Sequence, residues 1–326
     1  MKSAAEWYQQ GLKAIDLSYG ADTTREYHGD LEDAVAAFDQ ALALDRSFPG
    51  ANRQRGFALA TLGQHEAALD AFIAAGALEP EDADLQFSVA QSLAKLGKPE
   101  AALGAFEAVL RTRPGDGEAL FGRAEALTAL RRDALALAAW DDLLAAPETG
   151  NLTLGGRTVR MLMGDLRRVK AQMTRALLHA RLGRPEAVAV FRQVFDAHAE
   201  GLHGMSAPAV FHDALRDFEV AREAYRQHVA ARAADPVTWS RAGGAWSAVD
   251  RTAEANHAHE ELVRLTPDKP HAWYAKAEAH AKANQYEQAI AAYRRALVLW
   301  PEFLGAAARL QVVEQDAQRA HGGAAP

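Results

Sequence analysis

Over 326 residues the chain is 49% hydrophobic and 24% charged, ordinary proportions for a folded globular protein of about two domains. A formal charge of −7 disfavours wholesale binding to nucleic acid or anionic membrane, and no apolar run approaches the ~20 residues of a membrane span. The absence of cysteine excludes disulfide frameworks, thiolate metal sites and cysteine nucleophiles together, and the opening MKSAAEWYQQ lacks the apolar core of a secretory signal, so the chain reads as soluble and cytoplasmic.

The segment EWYQQGLKAI predicts a first helix and LEDAVAAFDQALALD a second, with SYGADTTREYH inserted between them. A fixed period then sets in. Ala34, Ala68, Ala102 and Ala136 are each 34 residues apart, and each is followed four residues later by Phe38, Phe72, Phe106 or Trp140. This pattern carries units one to four, over residues 1–148. The stretch NLTLGGRTVRMLMGDLRRVK interrupts it, and 149–164 reads as an insertion: alternating apolar residues around a Gly-Gly pair are the signature of a short hairpin. Asp165 is placed to cap the helix that follows.

Units five to eight occupy 165–301. Unit five continues into GRPEAVAVF, and unit six, about 203–236, is the least regular. Units seven and eight superpose when 271–301 is slid back 34 residues: Trp273 falls on Trp239, Ala277 on Gly243, Ala289 on Ala255 and Pro301 on Pro267. Residues 302–320 predict a polar-faced capping helix, and 321–326 a frayed tail.

Within each unit the residues describe two antiparallel helices. Small residues (Gly56, Ala90, Ala124, Gly243) recur where one helix must cross another closely. Gly63, Gly97 and Gly183 mark turns that favour a left-handed C-cap, and Pro99 suits the first turn of a second helix. Pro80, Pro114, Pro267 and Pro301 close their units, because proline cannot continue a helix.

On these residues the chain resembles the tetratricopeptide repeat family. The family's pattern appears as Trp239, Ala242, Gly243, Trp246, Ala255, His259, Leu262 and Pro267, with departures at Lys276, His280 and His259. The resemblance covers nearly the whole chain. It implies an all-α, right-handed superhelical solenoid of about eight helix-turn-helix repeats ending in a capping helix. It also implies protein–protein binding through a concave groove, with no catalytic chemistry and no cofactor. By the same resemblance, the groove wall takes Tyr8, Gln9, Leu12, Arg53, Gln54, Phe57, Phe87, Ser88, Gln91, Phe121 and Glu125, then Met173, Thr174, Leu177, Ser240, Arg241, Tyr274 and Glu278. Rings mixed with Gln, Ser and Arg suit an extended peptide, side chains filling pockets while polar groups meet its backbone. The family's clamp for a terminal carboxylate uses lysines and asparagines. Tyr8, Arg53, Gln54 and Ser88 stand there instead, so that clamp is not expected.

Residues 151–184 hold eight Lys or Arg against one acidic residue, a net +7 in a chain of −7. Two readings follow. The insertion bridges a discontinuity in the array; or Arg157, Arg160, Arg167, Arg168 and Lys170 form a docking patch for an acidic partner, with arginine making bidentate contacts to carboxylates. Enzymatic chemistry finds no support. His257 and His259 point to different faces of a helix, and His259 sits at the repeat's aromatic position and reads as a core histidine. HEELV lacks the second histidine of a zinc-protease motif, LGGRT lacks the spacing and lysine of a phosphate loop, and Asp141 and Asp142 read as a solvated face. The expected function is a scaffold or adaptor for a protein or peptide partner in a bacterial cytoplasm, the bacterial source being read from the Ala/Arg-rich composition. The alternatives are a self-associating homo-oligomer and, less favoured by the net charge, an RNA-binding helical repeat.

Overall fold

The computed structural model describes residues 2–18, 24–48, 50–146, 153–154, 157–158, 162–198 and 209–322. The chain divides into two compact units, Met1–Arg160 and Met161–Pro326.

The N-terminal unit holds four antiparallel helix pairs: α1 (Ala4–Ser18) with α2 (Thr24–Leu44), α3 (Ala51–Thr61) with α4 (His65–Leu78), α5 (Ala83–Lys95) with α6 (Pro99–Thr112), and α7 (Gly117–Ala129) with α8 (Asp133–Ala145). Two short strands, β1 (Thr153–Leu154) and β2 (Arg157–Thr158), pair antiparallel, Thr153 opposite Thr158 and Leu154 opposite Arg157. The local chemistry explains the boundaries. Asp82 accepts from the backbone N–H of Asp84 and Leu85, and Asp116 from those of Glu118 and Ala119, capping α5 and α7. Pro99 opens α6 where its missing N–H costs nothing. Between the helices of a pair the chain turns through a left-handed residue at one repeat position: Gly63 (φ 76°), Gly97 (φ 66°) and Arg131 (φ 57°).

The core of this unit is a run of rings from the second helices, Phe38, Phe72, Phe106 and Trp140, all buried beside Ala34, Ala68, Ala102 and Ala136. Three glycines on first helices, Gly11, Gly56 and Gly122, each have a ring against them. A β-carbon on Gly56 would lie 2.6 Å from Cε1 of Phe72, and one on Gly11 2.5 Å from Cε1 of Phe38. Glycine at these crossings is therefore a packing requirement.

The C-terminal unit contains α9 (Leu162–Arg181), α10 (Ala187–His198), α11 (Ala209–Asp217), α12 (Glu219–Ala230), α13 (Pro236–Ala248), α14 (Thr252–Leu265), α15 (Pro270–Lys282), α16 (Tyr286–Leu299) and α17 (Leu304–Gly322). Its second helices keep the 34-residue register without a slip: Ala187, Ala221, Ala255 and Ala289 are buried, as are Phe191, Tyr225, His259 and Tyr293 four residues on. Asp235 caps α13 by accepting from Val237 N–H and Thr238 N–H.

Apart from the β1–β2 pair, the described residues of both units are thus the expected repeated helix pairs, with α17 as a final helix. Local details differ from the sequence reading. Helix α9 begins at Leu162, so Asp165 lies within it and does not cap it. Helix α2 begins at Thr24, so TREYH belongs to a 21-residue helix instead of an insertion; residues 19–23 lie outside the described residues. The second helix of unit six is not where it departs from the pattern, since Ala221 and Tyr225 of α12 sit in register. Arg222 compensates at the end of α11. Its guanidinium donates to the carbonyls of Leu215 (3.0 Å) and Arg216 (2.9 Å), which a helix end otherwise leaves unpaired.

Candidate functional site

The candidate groove residues fall into three groups. The first is a set of rings on α1, α3, α5 and α7. Tyr8 packs against Phe38 and Phe48, with centroids 5.7 and 5.1 Å away. Phe57 stands edge-on to Phe72 (5.2 Å), Phe87 to Phe106 (5.9 Å) and Phe121 to Trp140 (5.3 Å). Phe57 is 40% exposed; Tyr8, Phe87 and Phe121 are half-buried. Each ring therefore has one face fixed by a core ring. The interplanar angles of 61–86° for the Phe87 and Phe121 pairs are the edge-to-face geometry that aromatic quadrupoles favour.

The second group is polar. Gln9 and Gln91 are exposed, and Gln54, Glu125 and Arg241 are half-buried. Arg53 is already engaged: its Nη2 lies 2.6 Å from Glu79 and also bonds Asp82, which ties α3 to the cap of α5. Its bonds to Asp82 raise its pKa further and lower that of Asp82. Its guanidinium is thus engaged within the fold.

The third group corrects the transfer from the family pattern. Met173 is 0% exposed and belongs to the core with Phe191 and Phe195, so it cannot meet a ligand. Thr174 is buried too, and Leu177 packs against the same core. Ser88 is buried and spends its hydroxyl on the carbonyl of Asp84 (2.8 Å). Sequence position alone did not show that Met173 lies in the core.

In the C-terminal unit, Tyr274 contacts Tyr293 (5.7 Å) and Phe303 (5.0 Å), and Glu278 is the hub of a network. Arg309 of α17 donates from Nε (2.7 Å) and Nη2 (3.1 Å) to Glu278, and the hydroxyl of Tyr293 donates to the same carboxylate. Burial acts to raise the Glu278 pKa, but these bonds outweigh it and hold the carboxyl below its usual range. Burial and then the Glu278 bond push the Tyr293 phenol up. Arg309 was not singled out from sequence, although its place one turn into the final helix was legible.

Of the proposed basic patch, Arg160 lies outside the described residues, as do the side chains of the β1–β2 segment, Arg157 included. Arg168 and Lys170 are exposed on α9 and Arg167 is half-buried. Among the described residues there is no group of three or more His, Cys, Asp or Glu able to hold a metal ion. No helix among them is long and apolar enough to cross a membrane.

Comparison with known proteins agrees with this architecture. A tetratricopeptide repeat model matches residues 23–83 and 87–151, and a second tetratricopeptide repeat model matches 270–303. The chain belongs to the tetratricopeptide repeat family. No curated protein matches it by sequence. Among solved structures it is similar to a tetratricopeptide repeat protein from Parabacteroides merdae (15% identity, 94% of this chain and 99% of that one, TM-score 0.47). It is also similar to YrrB, described as a TPR protein with an unusual peptide-binding site (21% identity, 60% and 95%, TM-score 0.43). A third similar structure is yeast Tom70 (13% identity, 97% and 65%, TM-score 0.44). The stretch between the matched segments, 152–269, contains Ala187, Ala221 and Ala255 in the same register.

Proposed function

We propose that this protein is a non-enzymatic scaffold that binds an extended segment of a partner protein on the first helices of its N-terminal unit. The observation that carries the reading is the set of rings Tyr8, Phe57, Phe87 and Phe121. They recur on α1, α3, α5 and α7, each exposed in part and each fixed from behind by a core ring. Rings held this way lose little rotamer freedom on binding, so the surface is preorganised and the ordering cost falls on the partner segment. Gln9, Gln54, Gln91 and Glu125 supply donors and acceptors for that segment's backbone. Within the C-terminal unit, Arg241 and Tyr274 are candidate contacts of the same kind.

The finer reading is that the segment carries acidic residues which dock on Arg157, Arg160, Arg167, Arg168 and Lys170. Its support is the net +7 of residues 151–184 in a chain of −7. A bacterial cytoplasm is the proposed setting, supported by the Ala/Arg-rich, cysteine-free composition.

The test is affinity capture from native cytoplasm with three baits: wild type, a Phe57→Ser/Phe87→Ser/Phe121→Ser variant, and a variant with Arg157, Arg160, Arg167 and Arg168 changed to Glu. The reading requires a partner lost from the ring variant. Loss from the charge-reversed variant, with salt-sensitive binding to wild type, supports the acidic segment. A partner held equally by all three baits contradicts both parts.

A further inference from the structure

The chain carries six tryptophans, and the fold accounts for five of them. Trp140, Trp239 and Trp246 are buried. Trp7 and Trp273 are half-buried, and each has a cation of the chain over its ring. Lys2 stands 4.4 Å from the Trp7 centroid, and Lys276 (5.8 Å) and Arg295 (6.0 Å) stand over Trp273. The electron-rich face of an indole attracts positive charge, most strongly where water is excluded. Trp300 breaks the pattern. It is 41% exposed, the most of the six, and no cation among the described residues stands over it.

The packing around Trp300 shows which side is open. Trp300 ends α16 and Phe303 precedes α17, in a turn closed by the Phe303 N–H donating to the Trp300 carbonyl (3.1 Å). The two rings stack, with centroids 4.9 Å apart and planes at 24°. Phe303 packs on Tyr274, whose ring meets the buried Tyr293, so the stack is anchored to the core. His271 of α15 lies 5.6 Å from Trp300 and 5.0 Å from Phe303. Such similar distances put the imidazole beside the stack, since a ring across Trp300 from Phe303 would be much farther from Phe303. One face of the indole is therefore covered by Phe303, and the opposite face is left to solvent.

Charge selects what could cover it. The four cations of α16 and α17 are all engaged: Arg294 by Glu314, Arg295 by the Trp273 ring, Arg309 by Glu278 and Arg319 by Asp316. Glu302, in the same turn as Trp300, is exposed, and its carboxylate has no hydrogen bond or ion pair among the described residues. An open indole face and an unmatched carboxylate in one turn complement a single cationic group. Arginine fits both. Its planar guanidinium lies flat on a ring and offers paired N–H groups to a carboxylate. A quaternary ammonium is instead held by rings set around it, whereas these rings are stacked. The methylene stem of arginine also suits Leu304, which is 82% exposed at the start of α17.

We propose that Trp300 and Glu302 form a docking site for an arginine side chain of a partner protein, the guanidinium stacking on the free indole face and pairing with the Glu302 carboxylate. The site belongs wholly to the C-terminal unit and uses none of the rings of α1, α3, α5 and α7.

The experiment is an NMR titration of the full chain labelled at the tryptophan indole nitrogens. Three probes are compared: acetyl-Gly-Arg-Gly-amide and its citrulline and lysine counterparts, citrulline being the uncharged isostere of arginine. The Trp300 signal, assigned by its loss in Trp300→Leu, is expected to shift saturably with the arginine probe. Citrulline is expected to bind at least about threefold more weakly, with lysine between the two. Glu302→Gln is expected to weaken arginine binding by about twofold or more. Trp300→Leu is expected to abolish the shift that the arginine probe causes at the His271 ring, with circular dichroism showing both variants folded. Citrulline or lysine bound as tightly as arginine, arginine binding undiminished in either variant, or no saturable shift at Trp300 would each overturn the proposal. Partner capture through Phe57, Phe87 and Phe121 is a separate outcome, and its failure would leave this site standing.

Discussion

The ring of Phe57 stands edge-on to that of Phe72, with centroids 5.2 Å apart and planes at 69°. One of the pair is buried and the other is 40% exposed, so a core contact holds a surface ring in a single orientation. Phe57→Ala removes the edge contact and part of the ring's burial, which amounts to about 1 kcal/mol of stability. If the ring anchors a partner, affinity falls by more, about tenfold or beyond. Thermal melting and a binding titration on the same variant separate the two effects.

Overpacking the helix crossings is a test of register. Gly56→Ala forces a β-carbon into the ring of Phe72, and Ala102→Leu or Ala68→Leu adds bulk where the native residue is fully buried. Each is expected to destabilise the fold by roughly 1–3 kcal/mol in denaturant unfolding. Melting like wild type for any of them would place the crossing elsewhere.

Turn residues give a subtler prediction. Gly97 has φ 66°, while Asn284 takes φ 58° in the corresponding turn of the last repeat. Nothing lies within 4 Å of a β-carbon at Gly97, so any penalty there is conformational. Gly97→Ala is expected to cost about 1 kcal/mol and Gly97→Asn distinctly less, because asparagine tolerates the left-handed region. Equal losses in chemical denaturation would contradict this account of the turn.

Two side chains contribute to the acid side of the stability profile in separate windows. His259 titrates near 4 in the folded chain against an ordinary 6.5, so below pH 6.5 the unfolded chain takes up a proton that the native chain refuses. Stability falls as pH drops from 6.5 toward 4, by roughly 2–3 kcal/mol at this buried site, and His259→Phe abolishes that slope. Asp196 is the opposite chemical case. Burial acts to raise its pKa, but hydrogen bonds from His228, Arg232 and Arg192 prevail and hold it at about 2, against an ordinary 3.8. Its contribution is present above 3.8 and is lost as pH falls toward 2, a loss that Asp196→Asn removes. Urea unfolding between pH 7 and 3, for wild type and His259→Phe, checks the first window.

Much of this molecule was readable because each repeat solves the same packing problem with the same residues. The series Ala34 to Ala136 and Phe38 to Trp140 announced the second helices, and Pro99 announced where one of them starts. What could not be read was which wall positions are buried. Met173 occupies a groove position by spacing, yet it faces Phe191 and Phe195, because α9 follows a break in the 34-residue count. Ser88 fits the pattern of the wall and still bonds its own helix, a choice that depends on a rotamer and leaves no trace in spacing. The network of Glu278, Tyr293 and Arg309 joins three helices, 31 residues separating its ends, and pairing across that distance follows only from the packed structure.

The most direct test of the central claim is calorimetric titration of the captured partner segment into wild type and into the Phe57→Ser/Phe87→Ser/Phe121→Ser variant, after circular dichroism has shown both to be folded. The account predicts affinity at least about tenfold weaker in the variant, since buried aromatic anchors dominate such surfaces. Equal affinity in the two proteins would mean that the rings of α3, α5 and α7 are packing alone and that the partner is held elsewhere.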